Sequence, residues 1–211
     1  MHRIFVQSSK EYIEQSMQRN VLSGKALLDR FVVFDEEIRK SPAYNDSRYA
    51  GFYYYLAKCV RPKNMVEMGF GSSLLTGTFL LGCTTVKKYL GFKEQSEEHF
   101  SSRLAKKNIR KVFKGLKNFY VGNLHDDDFV KLLQPEPWDM IFIAEECSYD
   151  KYMQYLDVCW ESLSENGIIV CEYLNKNKSM KDAFEAFFKD KEADFCIVKT
   201  RYGTGVAQKI N

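Results

Sequence analysis

From residue 63 onward, short apolar runs alternate with longer segments of helical period, and this rhythm restricts the chain more than any other feature. The runs are Met65 to Met68, Tyr89 to Phe92, Phe119 to Val121, Ile141 to Ala144 and Ile168 to Cys171. Each has the length of a strand, and the stretches between them are long enough for the crossovers that parallel pairing requires. Leu74, Leu75, Phe79 and Leu81 suit a helix after the first strand. Tyr152, Tyr155, Leu156, Cys159, Trp160 and Leu163 suit a longer one before the fifth, and Phe184, Phe187 and Phe188 mark another. Phe195 to Thr200 and Thr204 to Ile210, joined by Arg201-Tyr202-Gly203, read as two strands with a short turn. The expected fold is α/β: a doubly wound, mostly parallel sheet with an antiparallel C-terminal edge hairpin.

The first 60 residues have a different character. Leu27, Leu28, Phe31, Phe34 and Ile38 recur at helical spacing until Ser41-Pro42, and a second helix after Arg48 carries Phe52, Tyr53, Tyr55, Leu56 and Cys59 up to Arg61-Pro62. Residues 1–60 are therefore expected to form a helical segment packed on a core domain of residues 61–211. With 211 residues, 45% of them hydrophobic, one large core is the default. The balance of 31 basic and 28 acidic side chains leaves a net charge of +3, too little to imply a polyanionic partner for the whole chain. Six cysteines without a C-x-x-C pair read as reduced core residues. No apolar stretch approaches the roughly 18 residues of a membrane span, and the N-terminus has no secretory signal, so a cytoplasmic location is expected.

The stretch that carries chemistry is Val66-Glu67-Met68-Gly69-Phe70-Gly71-Ser72-Ser73-Leu74, at the end of the first strand and the start of its helix. In an open α/β sheet that crevice is where ligands bind. Glycines there let the chain turn tightly and let a ligand touch backbone. Leu74 stands where a dinucleotide fingerprint needs its third glycine, and no lysine follows to make a P-loop. An acid two residues before G-x-G-x-S resembles motif I of the class I S-adenosylmethionine-dependent methyltransferases, whose domain is Rossmann-like. The other reading of these residues is a glycine-rich turn with no ligand.

The resemblance extends over most of residues 50 to 211 and implies S-adenosylmethionine as cofactor. On it, Glu67, Gly69, Gly71, Ser72 and Ser73 form the cofactor turn. Glu94, ending the second strand 23 residues after Gly71, is the ribose-binding acid, although Glu94, Glu97 and Glu98 also read as charges at a helix start. Gly122 and Asn123 take the place of the family's "G-D" at the third strand, with Asn123 facing the adenine or capping a helix. Trp138 to Ala144, followed by Cys147-Ser148-Tyr149, resembles the fourth strand of the small-molecule O-methyltransferase-like branch, and Leu163 to Val170 its "L-x-P-G-G" turn and fifth strand.

Metal-dependent members of that branch hold a divalent cation with an acid at the end of strand four and an Asp-Asn or Asp-Asp pair after strand five. This chain has Ala144 and Glu172-Tyr173 at those places, too few oxygen ligands for such an ion. The resemblance therefore implies a metal-independent methyltransferase acting on a small-molecule acceptor. Glu145, Glu146 and Glu172 are candidate bases for a hydroxyl acceptor, and Tyr149 is a candidate for orienting it. Solvated loop residues and a helix start are the alternative reading of Glu145, Glu146 and Tyr149. His2, His99 and His125 are scattered.

Two other functions stay open at this point: a catalytically degenerate fold that binds the cofactor or a protein partner, and an aminocarboxypropyl transferase. A homodimer also stays open. Arg103, Lys106, Lys107, Arg110, Lys111, Lys114 and Lys117 form a basic run, but Leu104, Ile109, Val112, Phe113 and Leu116 among them give it the pattern of a solvated amphipathic helix. With acidic runs nearby, no tight nucleic-acid binding is expected.

Overall fold

A computed structural model of the chain describes residues 48–69, 74–94, 106–107, 109–110, 118–124, 131–133 and 137–210. The first helix, α1 (Arg48–Val60), leads into β1 (Asn64–Met68), α2 (Leu74–Gly82), β2 (Lys88–Glu94), β3 (Asn118–Leu124) and β4 (Trp138–Ile143). Then follow α3 (Tyr149–Glu161), β5 (Leu163–Cys171), α4 (Lys178–Lys189), β6 (Ala193–Val198) and β7 (Thr204–Lys209). The segment of helical spacing from Leu27 to Ile38 lies outside the described residues.

The strands form one seven-stranded sheet in the order β3-β2-β1-β4-β5-β7-β6. β1 to β5 pair in parallel, and β7 runs antiparallel between β5 and β6. The expected hairpin is present, with β6 as the edge and β7 inside, which is why β7 is buried through Gln208. The chain builds outward from β1 through β2 to β3 and then returns to start β4 on β1's other side. The order of strands therefore reverses between β1 and β4, and the crevice at their carboxyl ends is the ligand position of a doubly wound sheet.

Period-two alternation sends neighbouring side chains of the central strands into two cores. Met65, Tyr89, Met140, Phe142, Ile168 and Val170 pack with Phe52, Tyr53, Leu56 and Ala57 of α1 and with Phe79 and Leu80 of α2. Val66, Met68, Leu90, Ile141, Ile143, Ile169 and Cys171 pack on the other face with Tyr152, Leu156 and Trp160 of α3 and Phe184 and Phe188 of α4. Burial on both faces explains why these strands read as continuous apolar runs. Within the basic run, Ile109 is fully buried while Lys106, Lys107 and Arg110 are exposed, as an amphipathic helix requires.

Two local expectations are corrected. Leu163 belongs to β5 and not to the preceding helix, because α3 stops at Glu161 and Leu163 already pairs with Trp138. The register then shifts before Met140 pairs with Ile168, with Asn166 at φ 57° inside the excursion. Sequence periodicity counted Leu163 as helical because its spacing from Cys159 fits both elements. Cys59, placed among apolar positions of α1, is exposed; Cys83, Cys159, Cys171 and Cys196 are buried and Cys147 half-buried, all as free thiols. No helix among the described residues is long and apolar enough to cross a membrane.

Candidate functional site

The carboxyl ends of β1 and β4 meet without side chains between them. Gly69 follows β1 at φ +79°, and its N–H donates to the Phe92 carbonyl at 2.9 Å. The Ala144 N–H reaches back to the Met68 carbonyl at 2.8 Å. A Cβ on Gly69 would lie 2.5 Å from the Ala144 carbonyl oxygen, so both the positive φ and this approach demand glycine. Gly71, Ser72 and Ser73 lie outside the described residues. A glycine and an alanine ending the two strands that flank the topological switch leave the crevice floor to backbone, as a large flat ligand would need.

Beneath that turn, Glu67 of β1 points into the α1/α2 core and is 3% exposed. One oxygen, Oε2, accepts from both the Thr76 and Tyr89 hydroxyls. Burial pushes its carboxyl up to about 7, against the lowering effect of those two bonds. Along β2 and β3 the register pairs Phe92 with Gly122, Lys93 with Asn123 and Glu94 with Leu124. Glu94 and Asn123 therefore stand at the same carboxyl edge as Gly69, while their side chains lie outside the described set.

The opposite wall is built from the segments after β4 and β5 and the turn before β7. Glu172 follows β5, held by its N–H donating to the Ile143 carbonyl at 2.9 Å. Its side chain is 2% exposed, with Oε1 accepting from the Thr204 hydroxyl at 3.0 Å; Thr204 in turn shares a hydrogen bond of 2.9 Å with Thr200. Burial pushes this carboxyl up to about 8. Tyr173 has φ 66°, a strained value for a bulky residue, fixed from both sides. Its carbonyl accepts from Lys176 and Asn177 N–H, and Leu174 and Asn175 donate to Gly203 and Tyr202. The bend turns the Tyr173 ring onto Tyr202, with centroids 5.7 Å apart. Burial, then the negative charges of Glu172 and Glu146, with Tyr202 and Glu67 adding to them, push its phenol up to about 12. One phenol thus senses acids from β1, from the segment after β4 and from the end of β5.

The remaining sequence-predicted residues are less enclosed. Glu145 is half-buried, and Glu146 is exposed and ion-paired with Lys176. Tyr149 is 39% exposed and is the first residue of α3, so it starts a helix as one reading had it. Asn177 ties the walls together: its Nδ2 donates to the Cys147 carbonyl at 3.3 Å while its Oδ1 caps α4 at Met180. Among the described residues no group of three or more His, Cys, Asp or Glu side chains is placed to hold a metal ion. Thr200, Tyr202 and Thr204 were not singled out in the sequence, and Tyr173 was named only as the neighbour of Glu172 after strand five; the signal for the other three was the Gly203 turn, and it says nothing about which strand end the turn will cover. A cavity of about 510 Å³ lies elsewhere, at the amino ends of β2, β3 and β4, lined by Lys88, Asn118, Tyr120 and Trp138 among others. It is remote from the switch point, and the strand topology is the better guide to the site.

No protein-family model and no curated protein matches the sequence. Solved structures do match the fold along the whole chain. The O-methyltransferase TomG from Streptomyces achromogenes, in complex with SAM, is similar at TM-score 0.65 and 10% identity, covering 100% of both chains. The SAH-bound methyltransferase PaMTH1 of Podospora anserina matches at TM-score 0.65 and 14% identity, over 100% of this chain and 99% of that one. An O-methyltransferase from Bacillus cereus in complex with SAH matches at 0.62 and 14%, over 96% and 97%. With seven strands in this order, a glycine turn at the switch point and these neighbours, the chain has the Rossmann-like fold of the class I S-adenosylmethionine-dependent methyltransferases.

Proposed function

We propose that the protein is an S-adenosylmethionine-dependent methyltransferase that modifies a small-molecule acceptor without a metal ion. The observation that carries this reading is the side-chain-free junction of Gly69 and Ala144 at the sheet's switch point. The residues there fit the cofactor. Gly69, Gly71, Ser72 and Ser73 would hold its amino-acid end, Glu94 its ribose hydroxyls, and Gly122 with Asn123 its adenine; Ala144 leaves room above β4. When bound, the cofactor supplies an electrophilic methyl group on a sulfonium.

The chain's own contribution is alignment, exclusion of water and proton acceptance. Glu172 is the proton acceptor at the end of β5; burial raises its carboxyl to about 8, so the ionised form that can take a proton gains population as pH rises through that value. Glu146 is exposed and engaged by Lys176, and Glu145 and Tyr149 stand nearer the solvent, where they would contact the acceptor's outer parts. Ala144 provides no carboxylate where the metal-dependent branch has one, which supports metal independence. The N-terminal segment, residues 1–60, is read as a helical cover on the domain of residues 61–211; a cytoplasmic protein without nucleic-acid partners, monomeric or a homodimer, is consistent with this assignment.

S-adenosylhomocysteine at about one hundred times its dissociation constant should stabilise the protein by roughly 2.7 kcal/mol, read as a rise in melting temperature. A folded Gly71→Asp variant should not respond, because a carboxylate would occupy the crevice; an undiminished response would overturn the assignment of the turn. Incubation with methyl-labelled cofactor and cell extract should yield labelled product that survives chelator. Release of methylthioadenosine in place of S-adenosylhomocysteine would identify aminocarboxypropyl transfer, and binding without any product would identify a degenerate fold.

Glu94→Ala leaves two ribose hydroxyls without a charged acceptor and should weaken cofactor binding by about 1.5 to 3 kcal/mol. Calorimetry with S-adenosylhomocysteine measures this directly. Unchanged affinity would move the ribose contact to another acid.

A further inference from the structure

The sheet carries a second hollow at its other end, among the residues that start β2, β3 and β4. This is the cavity of about 510 Å³ lined by Lys88, Leu90, Asn118, Tyr120, Leu132 and Trp138 among others. Lys88, Asn118 and Trp138 are the first residues of their strands. Glu94 ends β2, about 20 Å from Lys88 at the rise of a strand, so the switch-point crevice lies at the far end of the same element.

Strand register builds the hollow. Lys88 pairs with Asn118 and Leu90 with Tyr120, and period-two alternation sends these four side chains to one face of the sheet. Leu90 packs there with Leu133 and Trp138, which gives the cavity an apolar floor. The Trp138 indole N–H donates to the Leu133 carbonyl at 3.0 Å and so fixes both the ring and the helical turn that carries Leu132. Leu90 and Trp138 are buried, whereas Tyr120 and Leu132 are 48% and 38% exposed. A buried apolar floor beneath an exposed apolar rim is the profile of a ligand cleft open to solvent, unlike single apolar side chains scattered over a surface.

The charge in the cavity has one sign. The Lys88 ammonium lies 4.9 Å from the Trp138 ring centroid, where the face of the indole holds positive charge at the wall. None of the described residues lining the cavity is acidic, and Asn118, the register partner of Lys88, adds a carboxamide beside it. Lys88 repels a cation, and an anion without a hydrocarbon part leaves Leu90, Tyr120 and Leu132 uncovered. We propose that this cavity binds a small aromatic carboxylate, with its ring against Leu90, Tyr120 and Leu132 and its carboxylate at Lys88 and Asn118. The site shares no residue with the switch-point crevice and stands apart from the methyltransferase reading.

Three probes separate ring from charge: 2-naphthoate, 2-naphthalenemethanol and acetate, titrated calorimetrically into the full chain with and without saturating S-adenosylhomocysteine. Naphthoate should bind about tenfold more tightly than the alcohol, the ratio that a hydrogen bond to a charged group supplies, and acetate should bind more weakly than either. Lys88→Met keeps a hydrocarbon stem over Trp138 and should lower naphthoate affinity to that of the alcohol while leaving the alcohol unaffected. Tyr120→Ala should weaken both naphthalenes about fivefold. Tyr120 is exposed, so this variant tests the site even if Lys88→Met does not fold. Saturating S-adenosylhomocysteine should leave naphthoate affinity unchanged. Alcohol or acetate binding as tight as naphthoate, no binding of any probe, or naphthoate affinity unchanged in either folded variant would each overturn the proposal. Loss of naphthoate binding under S-adenosylhomocysteine would place the ligand in the switch-point crevice and overturn it as well.

Discussion

A Gly69→Ala variant is expected to lose about 3 kcal/mol of unfolding free energy, combining the strain of a side chain at positive φ with the cost of forcing two strand ends apart. Its Cβ would stand 2.5 Å from the Ala144 carbonyl oxygen and 2.6 Å from the carbonyl carbon, both backbone atoms that cannot swing away as a side chain would. The cheapest relief is to separate Gly69 from Ala144, which breaks the bond between the Ala144 N–H and Met68 that closes the crevice floor. Urea unfolding should therefore show a lower midpoint, and cofactor affinity should fall with it. Gly51→Ala is the matching control: it lies within α1 with nothing inside 4 Å of the added carbon, so helix propensity should raise stability by about 0.5 to 1 kcal/mol. Equal stability of the Gly69→Ala variant and the parent would refute the strain assigned to this turn.

The second large effect is a dependence of stability on pH opposite to that of most carboxylates. Glu67 and Glu172 have their carboxyls raised by burial, from the ordinary value of 4.5 to about 7 and about 8. Between the unfolded and folded values the folded chain holds protons that the unfolded chain has released, so stability falls as pH rises. The contribution is fully present below about pH 4.5, diminishes through the neutral range, and is gone above about pH 8. For Glu67 alone the difference corresponds to roughly 3 kcal/mol, with a larger share from Glu172. Glu67→Gln keeps an oxygen for Thr76 and Tyr89 but removes the titration. It should flatten the slope between pH 5 and 8 and be more stable than the parent at the upper end, measured by chemical denaturation. An unchanged slope in that variant would show that Glu67 is ionised in the folded protein.

Much of the architecture was legible in the residues. The five parallel strands, the hairpin and the glycine turn follow from local pattern: apolar runs of strand length, intervals long enough for crossovers, and Gly69 where the chain must turn. The position of Glu172 just after β5, at the carboxyl end of the sheet, was also legible, because it follows from the strand order. Periodicity counted Leu163 with the helix while the resemblance placed it at the turn into the fifth strand; a single spacing satisfies both, and its pairing with Trp138 decides for the strand. Cys59 shows the same limit, for an apolar spacing on α1 does not reveal which stripe faces the sheet.

The sequence by itself determined the sheet class, the position of the switch point and the residue type at the turn, because these depend on periodicity and on the conformational freedom of single residues. Tertiary structure alone decided which acids share one space. Glu67, Glu146 and Glu172 are up to 105 positions apart, and Thr204 and Tyr202 come from a hairpin that the chain completes only after β5. Their mutual effects depend on strand order, on burial and on the bend at Tyr173, where a positive φ is held by hydrogen bonds from both sides. Such electrostatic coupling falls with distance through a low-dielectric interior, and distance between remote residues is what folding sets.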